Sequence, residues 1–147
     1  MKLKAVLFAI AFTGLAVGAV TAADEPQVVR QGLMKKVGGA MGALAAIGKG
    51  EKPYDAAIVT ASLTTISESA KAFPDQFPVG SETGMETEAS PKIWETPDDF
   101  KAKSLKLAAD ADALLAAVPA DQAAVGAALG VIGGNCGGCH QVYRLKK

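Results

Sequence analysis

Residues 136–140 read Cys-Gly-Gly-Cys-His, and this pentapeptide holds both cysteines and the only histidine of a 147-residue chain. Nothing else in the sequence restricts the fold as sharply. Cys136 and His140 are four apart and Cys139 is three beyond Cys136, so on a helix they project along neighbouring lines of one face. Cys-x-x-Cys-His is the attachment pattern of c-type haem. The two thiols add to the two haem vinyl groups as thioethers, and the adjacent imidazole takes the iron. His140 is the single candidate for histidine ligation. A haem bound this way would lie against that helix face, inside whatever the remaining helices enclose.

The flanking sequence has a helical period. Val125, Leu129, Ile132, Cys136, Cys139, His140 and Tyr143 advance by three or four, apart from adjacent Cys139-His140. They predict a helix from about Asp121 to Leu145. Gly133, Gly134, Gly137 and Gly138 weaken it by up to about 1 kcal/mol each relative to alanine. Removing bulk beside a flat macrocycle would explain why they are tolerated. A first helix starts near Asp24 with Pro26 in its opening turn. It carries Val29, Leu33, Met34, Val37, Met41 and Leu44 at helical spacing and ends at Gly48-Lys49-Gly50. A second opens at Pro53 with a stripe of Ile58, Ala61, Thr65, Ile66 and Ala70. Phe73-Pro74 stops it, because a residue before proline is pushed out of helical geometry.

A third helix follows Pro97. Asp98 and Asp99 sit in its first turn, where the helix dipole favours negative charge. Phe100, Leu107, Ala111, Leu114, Leu115 and Val118 mark its inner side. Between the second and third helices, residues 74–96 form a long connection punctuated by Pro74, Pro78, Gly80, Gly84 and Pro91. A loop this long usually serves a site or crosses between elements. It is expected to cross the bundle and wall part of the cofactor site, with Ile93-Trp94 plugged into the core as packing. The expected fold is all-α: an antiparallel four-helix bundle with one long crossover loop.

The first residues form a separate unit. Met1-Lys2-Leu3-Lys4 is basic, Ala5 to Val20 is apolar apart from Thr13 and small glycines, and Thr21-Ala22-Ala23 leads into polar Asp24-Glu25-Pro26. That order is a secretory signal peptide over residues 1–23. The run is shorter than the ~20 apolar residues of a membrane span, so cleavage leaves residues 24–147 as one exported domain with no membrane segment. The bacterial periplasm is the expected location. Losing Lys2 and Lys4 takes the formal charge from zero to −2. With no basic patch and no aromatic–basic interleaving, nucleic acid is not a partner.

A Cys-x-x-Cys-His near the C-terminus of such a bundle resembles the cytochrome c′ family, the class II c-type cytochromes. Ordinary cytochromes c carry the motif near the N-terminus. The resemblance covers the whole mature chain: Arg30-Gln31-Gly32-Leu33-Met34, Gly50-Glu51-Lys52-Pro53-Tyr54-Asp55, Ser90-Pro91-Lys92-Ile93-Trp94, and Cys136 through Arg144. It implies one haem c per chain, linked to Cys136 and Cys139, with His140 as axial ligand and Tyr143 in the pocket. It places Arg144 beside the proximal imidazole, where its cation would disfavour further positive charge at the iron. Arg30 and Gln31 match positions near the propionates, and Met34 matches the distal face. In high-spin members an apolar side chain covers an empty sixth site; in low-spin relatives a methionine of the first helix ligates the iron. Met34 is open to either role, and plain core filling is a third, since methionine adapts to irregular gaps.

The function expected is one-electron transfer with redox partner proteins; the alternative is five-coordinate binding of nitric oxide or carbon monoxide. A non-enzymatic role is expected, because the lone histidine is committed to iron and leaves no hydrolytic triad. A thiol–disulfide oxidoreductase would need a βαβ pattern that the sequence lacks. Two cysteines and one histidine are too few for a closed zinc site. The resemblance also allows a homodimer, since dimerisation through the first two helices is common in the family. Gly38, Gly39, Ala40, Gly42 and Ala43 would permit close approach there, or could face the bundle interior.

Overall fold

The computed structural model describes residues 25–146. The leader expected over residues 1–23 lies outside them. Helix α1 spans Pro26–Gly48, with proline in the first turn where its missing N–H costs nothing. Helix α2 spans Ala56–Ala72, later than Pro53, because the Asp55 carboxylate caps it, accepting from the Ala57 and Ile58 amides at 2.8 and 3.2 Å. Gly50 makes the turn between them with φ of 75°, a backbone region that favours glycine.

Helix α2 ends at Ala72, where Phe73-Pro74 is expected to stop it. The chain tightens into a 3-10 turn over Phe73–Gln76, which proline tolerates in an opening turn. After the loop come the four-residue helix α3 (Lys92–Glu95), helix α4 (Pro97–Ala116) and helix α5 (Gln122–Tyr143). Among the described residues there is no strand, only an antiparallel bridge between Ala89 and Arg144.

Helix α1 packs on α2 and α5, and α4 packs on the same two, so the four long helices form a ring in the order α1, α2, α4, α5. The start of α1, the end of α2, the start of α4 and the end of α5 meet at one end. Phe73 touches Phe100, Phe100 touches Tyr143, and Gln27 bonds to Ser81 and Thr83. The connection therefore leaves and returns at the same end. On the way it passes over α1 at Gln27 and over the end of α5 at Arg144, so its length goes into crossing and walling that end.

The core is aliphatic along most of the bundle. Leu44, Ile47, Val59, Leu63, Ile66, Val125 and Ile132 are buried in one cluster with Val37, Leu107 and Ala111. Each large side chain removed from water contributes roughly 1.5–3 kcal/mol. On α2 the inward stripe is Val59, Ser62, Leu63, Ile66 and Ala70. Ile58 is 45% exposed and Ala61 is also exposed, so the first two turns of the expected stripe are out of register. Starting at Ala56 lets Val59 and Leu63 point inward, and their volume fills the core. At the far end α1 and α5 approach closely: a Cβ on Gly48 would stand 2.8 Å from Leu129 and 3.3 Å from the Gly126 backbone. Gly39 and Gly42 are exposed while Ala40 is buried, so those two glycines do not face the interior, whereas Gly38 borders the cavity described below.

Candidate functional site

Helix α5 presents the cysteine–histidine run in its last turns. The Asp121 carboxylate caps its start, accepting from the Ala124 amide at 2.8 Å. The helix ends at Tyr143, two residues before Leu145, because Arg144 turns extended to pair with the crossover. The Ser90 amide donates to the Tyr143 carbonyl at 3.0 Å, and the Leu145 amide donates to the Glu88 carbonyl at 2.8 Å. Arg144 therefore leaves the helix that carries His140. Its guanidinium grips the Glu88 carboxylate at 2.6 Å, and it still lines a cleft with His140.

These turns open onto a cavity of about 660 Å³. Helix α5 lines it with Asn135, Cys136, Cys139, His140 and Tyr143. Helix α1 contributes Arg30, Gln31, Met34, Val37 and Met41. Phe73, Phe77, Phe100 and Leu107 add an apolar lining, and Glu86 to Ala89 of the crossover form a further wall. All eight residues singled out from the sequence thus line one cavity. Met34 and Met41 both also pack on the aliphatic core. Ile93 lines the cavity and is buried, whereas Trp94 is half-buried, packs on Phe77 and does not reach the lining.

One expectation is corrected here. Gly133, Gly134, Gly137 and Gly138 do not line the cavity, and Gly134, Gly137 and Gly138 lie on the exposed face of α5. Making room beside the macrocycle is not their role. Arg30 is buried at 4% exposure and donates to Ser81, Gln76 and Thr87 of the crossover.

Burial is the main influence on the electrostatics of all three donor groups. Cys136 and Cys139 are free and half-buried, and burial pushes both thiols up. For Cys139, Lys103 partly opposes that rise. Burial and then the Arg144 cation push His140 down, with Glu88 opposing. Both shift the balance towards the neutral imidazole, the form with a lone pair for a metal. Tyr143 is buried; its hydroxyl donates to Asp99 at 2.5 Å and lies 2.9 Å from the Thr96 hydroxyl.

Sequence reasoning missed Met41, the phenylalanine lining, and the polar residues Asn135, Lys103 and Thr87. A usable signal existed for the rings. Every phenylalanine beyond residue 24, namely Phe73, Phe77 and Phe100, brackets the connection. No local pattern marks the polar ones.

The donor set fits one group. Two unpaired thiols and an adjacent imidazole converge on a cavity in the usual size range of cofactor sites, with rings and aliphatic side chains for a flat apolar face. Fold and site together define a c-type haem protein built on a helical bundle. The chain belongs to the cytochrome c′ family: the profile described as "Cytochrome C'" matches residues 25–144. It is a covalent haem c protein. Cytochrome c-556 of Agrobacterium fabrum (strain C58) is 62% identical over 147 residues, all of this chain and 99% of that one. Cytochrome c′ from Rhodopseudomonas palustris superimposes with a TM-score of 0.80 at 38% identity, covering 85% of this chain and 99% of that one. A structure of oxidised R. palustris cytochrome c556 gives a TM-score of 0.75 at 35% identity, covering 85% and 99%. Among the described residues no helix is long and apolar enough to cross a membrane.

Proposed function

We propose that this chain is a periplasmic one-electron carrier whose haem is linked to Cys136 and Cys139 and ligated by His140, with Met34 at the sixth position. One observation carries the reading: the Met34 thioether on α1 and the His140 imidazole on α5 line the same cavity. Haem supplies an iron that exchanges one electron between its ferrous and ferric states. The residues of the chain set the terms. Cys136 and Cys139 tether and orient. His140 would donate its imidazole lone pair to the iron. A thioether ligand raises the reduction potential and keeps small gases away. Arg144, paired with Glu88, covers the side on which His140 lies and places its cation there.

The signal-peptide pattern in residues 1–23 supports the periplasmic assignment, and the family profile begins just past it, at residue 25. The outward Gly39 and Gly42 of α1 support a homodimer through α1 and α2.

The competing reading is a five-coordinate binder of nitric oxide or carbon monoxide. It is favoured by Met34 packing on the aliphatic core, where it could serve as apolar cover. Carbon monoxide titration of the reduced protein decides between them. The carrier is expected to bind slowly and weakly, and Met34→Ala is expected to convert a low-spin spectrum to high-spin. Rapid, tight binding by the unaltered protein, with a spectrum indifferent to Met34→Ala, would assign Met34 to packing.

A further inference from the structure

We infer that Arg30 is a positioning residue, one that pins the crossover as a wall of the haem cavity and acts through that wall rather than through its charge on the haem. The inference rests on the haem reading of the cavity.

The guanidinium makes its bonds in one direction. Nη2 donates to the Ser81 carbonyl at 2.9 Å and to Thr87 Oγ1 at 3.2 Å. Nη1 donates to Ser81 Oγ at 3.3 Å and to the Gln76 carbonyl at 3.4 Å. All four acceptors lie between residues 76 and 87. Arginine has five N–H donors in a fixed fork, so most of that capacity is committed to the loop. The same group lies over the Phe77 ring at 4.8 Å and the Trp94 ring at 5.8 Å, at the two ends of the connection.

Neighbours on the same face repeat the pattern. Gln27 Nε2 donates to the Ser81 and Thr83 carbonyls at 3.1 and 2.8 Å, and Gln31 Nε2 donates to the Glu86 carbonyl at 2.9 Å. Positions 27, 30 and 31 are three and four apart, hence side by side on α1. Gln27 is 3% exposed, and its Oε1 has no partner. Turning the amide over would set that oxygen against two carbonyls, so its orientation is fixed by the loop. A buried acceptor left unpaired is costly, and here it accompanies two bonds that hold the crossover.

The segment needs such holding. Residues 77–88 have no helix or strand of their own. Yet Phe77, Glu86, Thr87 and Glu88 wall the cavity. Solvent access to a metal site tunes its potential. A loosened wall admits water, which favours the more highly charged ferric state.

Arg30→Lys tests this in the holoprotein, because lysine keeps the charge and lacks the planar fork. The expected result is hydrogen exchange of the 77–88 amides faster by about tenfold or more, together with a lower reduction potential. Gln27→Ala, which removes no charge, is expected to move both in the same direction by less. Wild-type exchange and potential in Arg30→Lys, with a shift only in Arg30→Gln, would overturn the inference in favour of a charge effect. Faster exchange at unchanged potential would overturn it as well, leaving Arg30 a purely structural residue. If Arg30→Lys does not accumulate, Gln27→Ala carries the same two readouts alone. Failure of the haem reading looks different: the unaltered protein would lose its colour on solvent extraction.

Discussion

The two ends of the bundle are held together by different physics. Towards the α1–α2 turn, Leu44, Ile47, Val59, Leu63 and Val125 are buried together in an aliphatic core. At the other end Phe73, Phe77, Phe100 and Tyr143 meet edge to face or tilted, at centroid distances of 4.7–5.9 Å. There the crossover is tied down by polar groups: Gln27, Arg30 and Gln31 on one side, Glu88–Arg144 on the other. Aliphatic packing fills space and leaves none. Rings and hydrogen-bonded clamps can frame a cavity without collapsing into it. The functional end is thus the one whose walls come from distant parts of the chain.

The strongest way to break this division is to remove the tether. Cys136→Ala with Cys139→Ala is expected to abolish covalent haem, leaving protein whose colour is lost to solvent extraction. The far end should keep its helices. Retention of haem through denaturation and extraction would contradict the assignment of both cysteines.

Core truncations come next and separate the two ends. Leu63→Ala should cost about 2–5 kcal/mol of stability by leaving a cavity in the aliphatic layer, with the haem spectrum unaltered. Phe100→Ala should cost about 3–5 kcal/mol and also change the spectrum, since Phe100 lines the haem cavity. Denaturant melts recorded alongside optical spectra check both. Equal spectral changes in the two variants would erase the distinction.

A smaller effect depends on pH and lies on the α2–α4 seam. The Asp112 carboxylate accepts from Lys71 at 2.8 Å and from Ser67 at 2.6 Å, and these bonds hold it below the usual carboxylate range. A carboxyl depressed by folding adds stability above its unfolded value, near about pH 4. That contribution is lost as pH falls through the lower folded value. Wild type should therefore exceed Asp112→Asn in stability at about pH 6, and thermal melts should converge as pH falls through that lower folded value. A gap that persists in acid would point to packing instead.

The smallest change sharpens the contrast in helix α1. A Cβ on Gly39 meets nothing within 4 Å, so Gly39→Ala should raise monomer stability by about 0.5–1 kcal/mol. Loss of stability that depends on protein concentration would indicate that this face contacts a second copy.

Most of the bundle was legible because helical spacing is a local property. Val37, Leu44, Phe100, Leu107, Ala111, Val125 and Ile132 lie inside as their spacing predicts. The start of α2 was misread because Ile58 and Val59 are adjacent and both apolar; only the Asp55 cap and the filled core choose between them. Gln27 and Arg30 are buried and were unreadable as such. Polar residues enter a core only against partners, and theirs lie 46–57 positions away in sequence.

By itself the sequence determined the four helices and the placement of two thiols and one imidazole on a single helical face. Both follow from contacts within a few residues, which a repeat of 3.6 residues per turn makes explicit. Only the tertiary structure decided that the long connection folds back on its own end, that Arg144 leaves its helix for Glu88, and that Arg30 faces the loop. Those outcomes depend on which donors meet which acceptors once distant segments share a small volume, and no spacing rule along the chain carries that information.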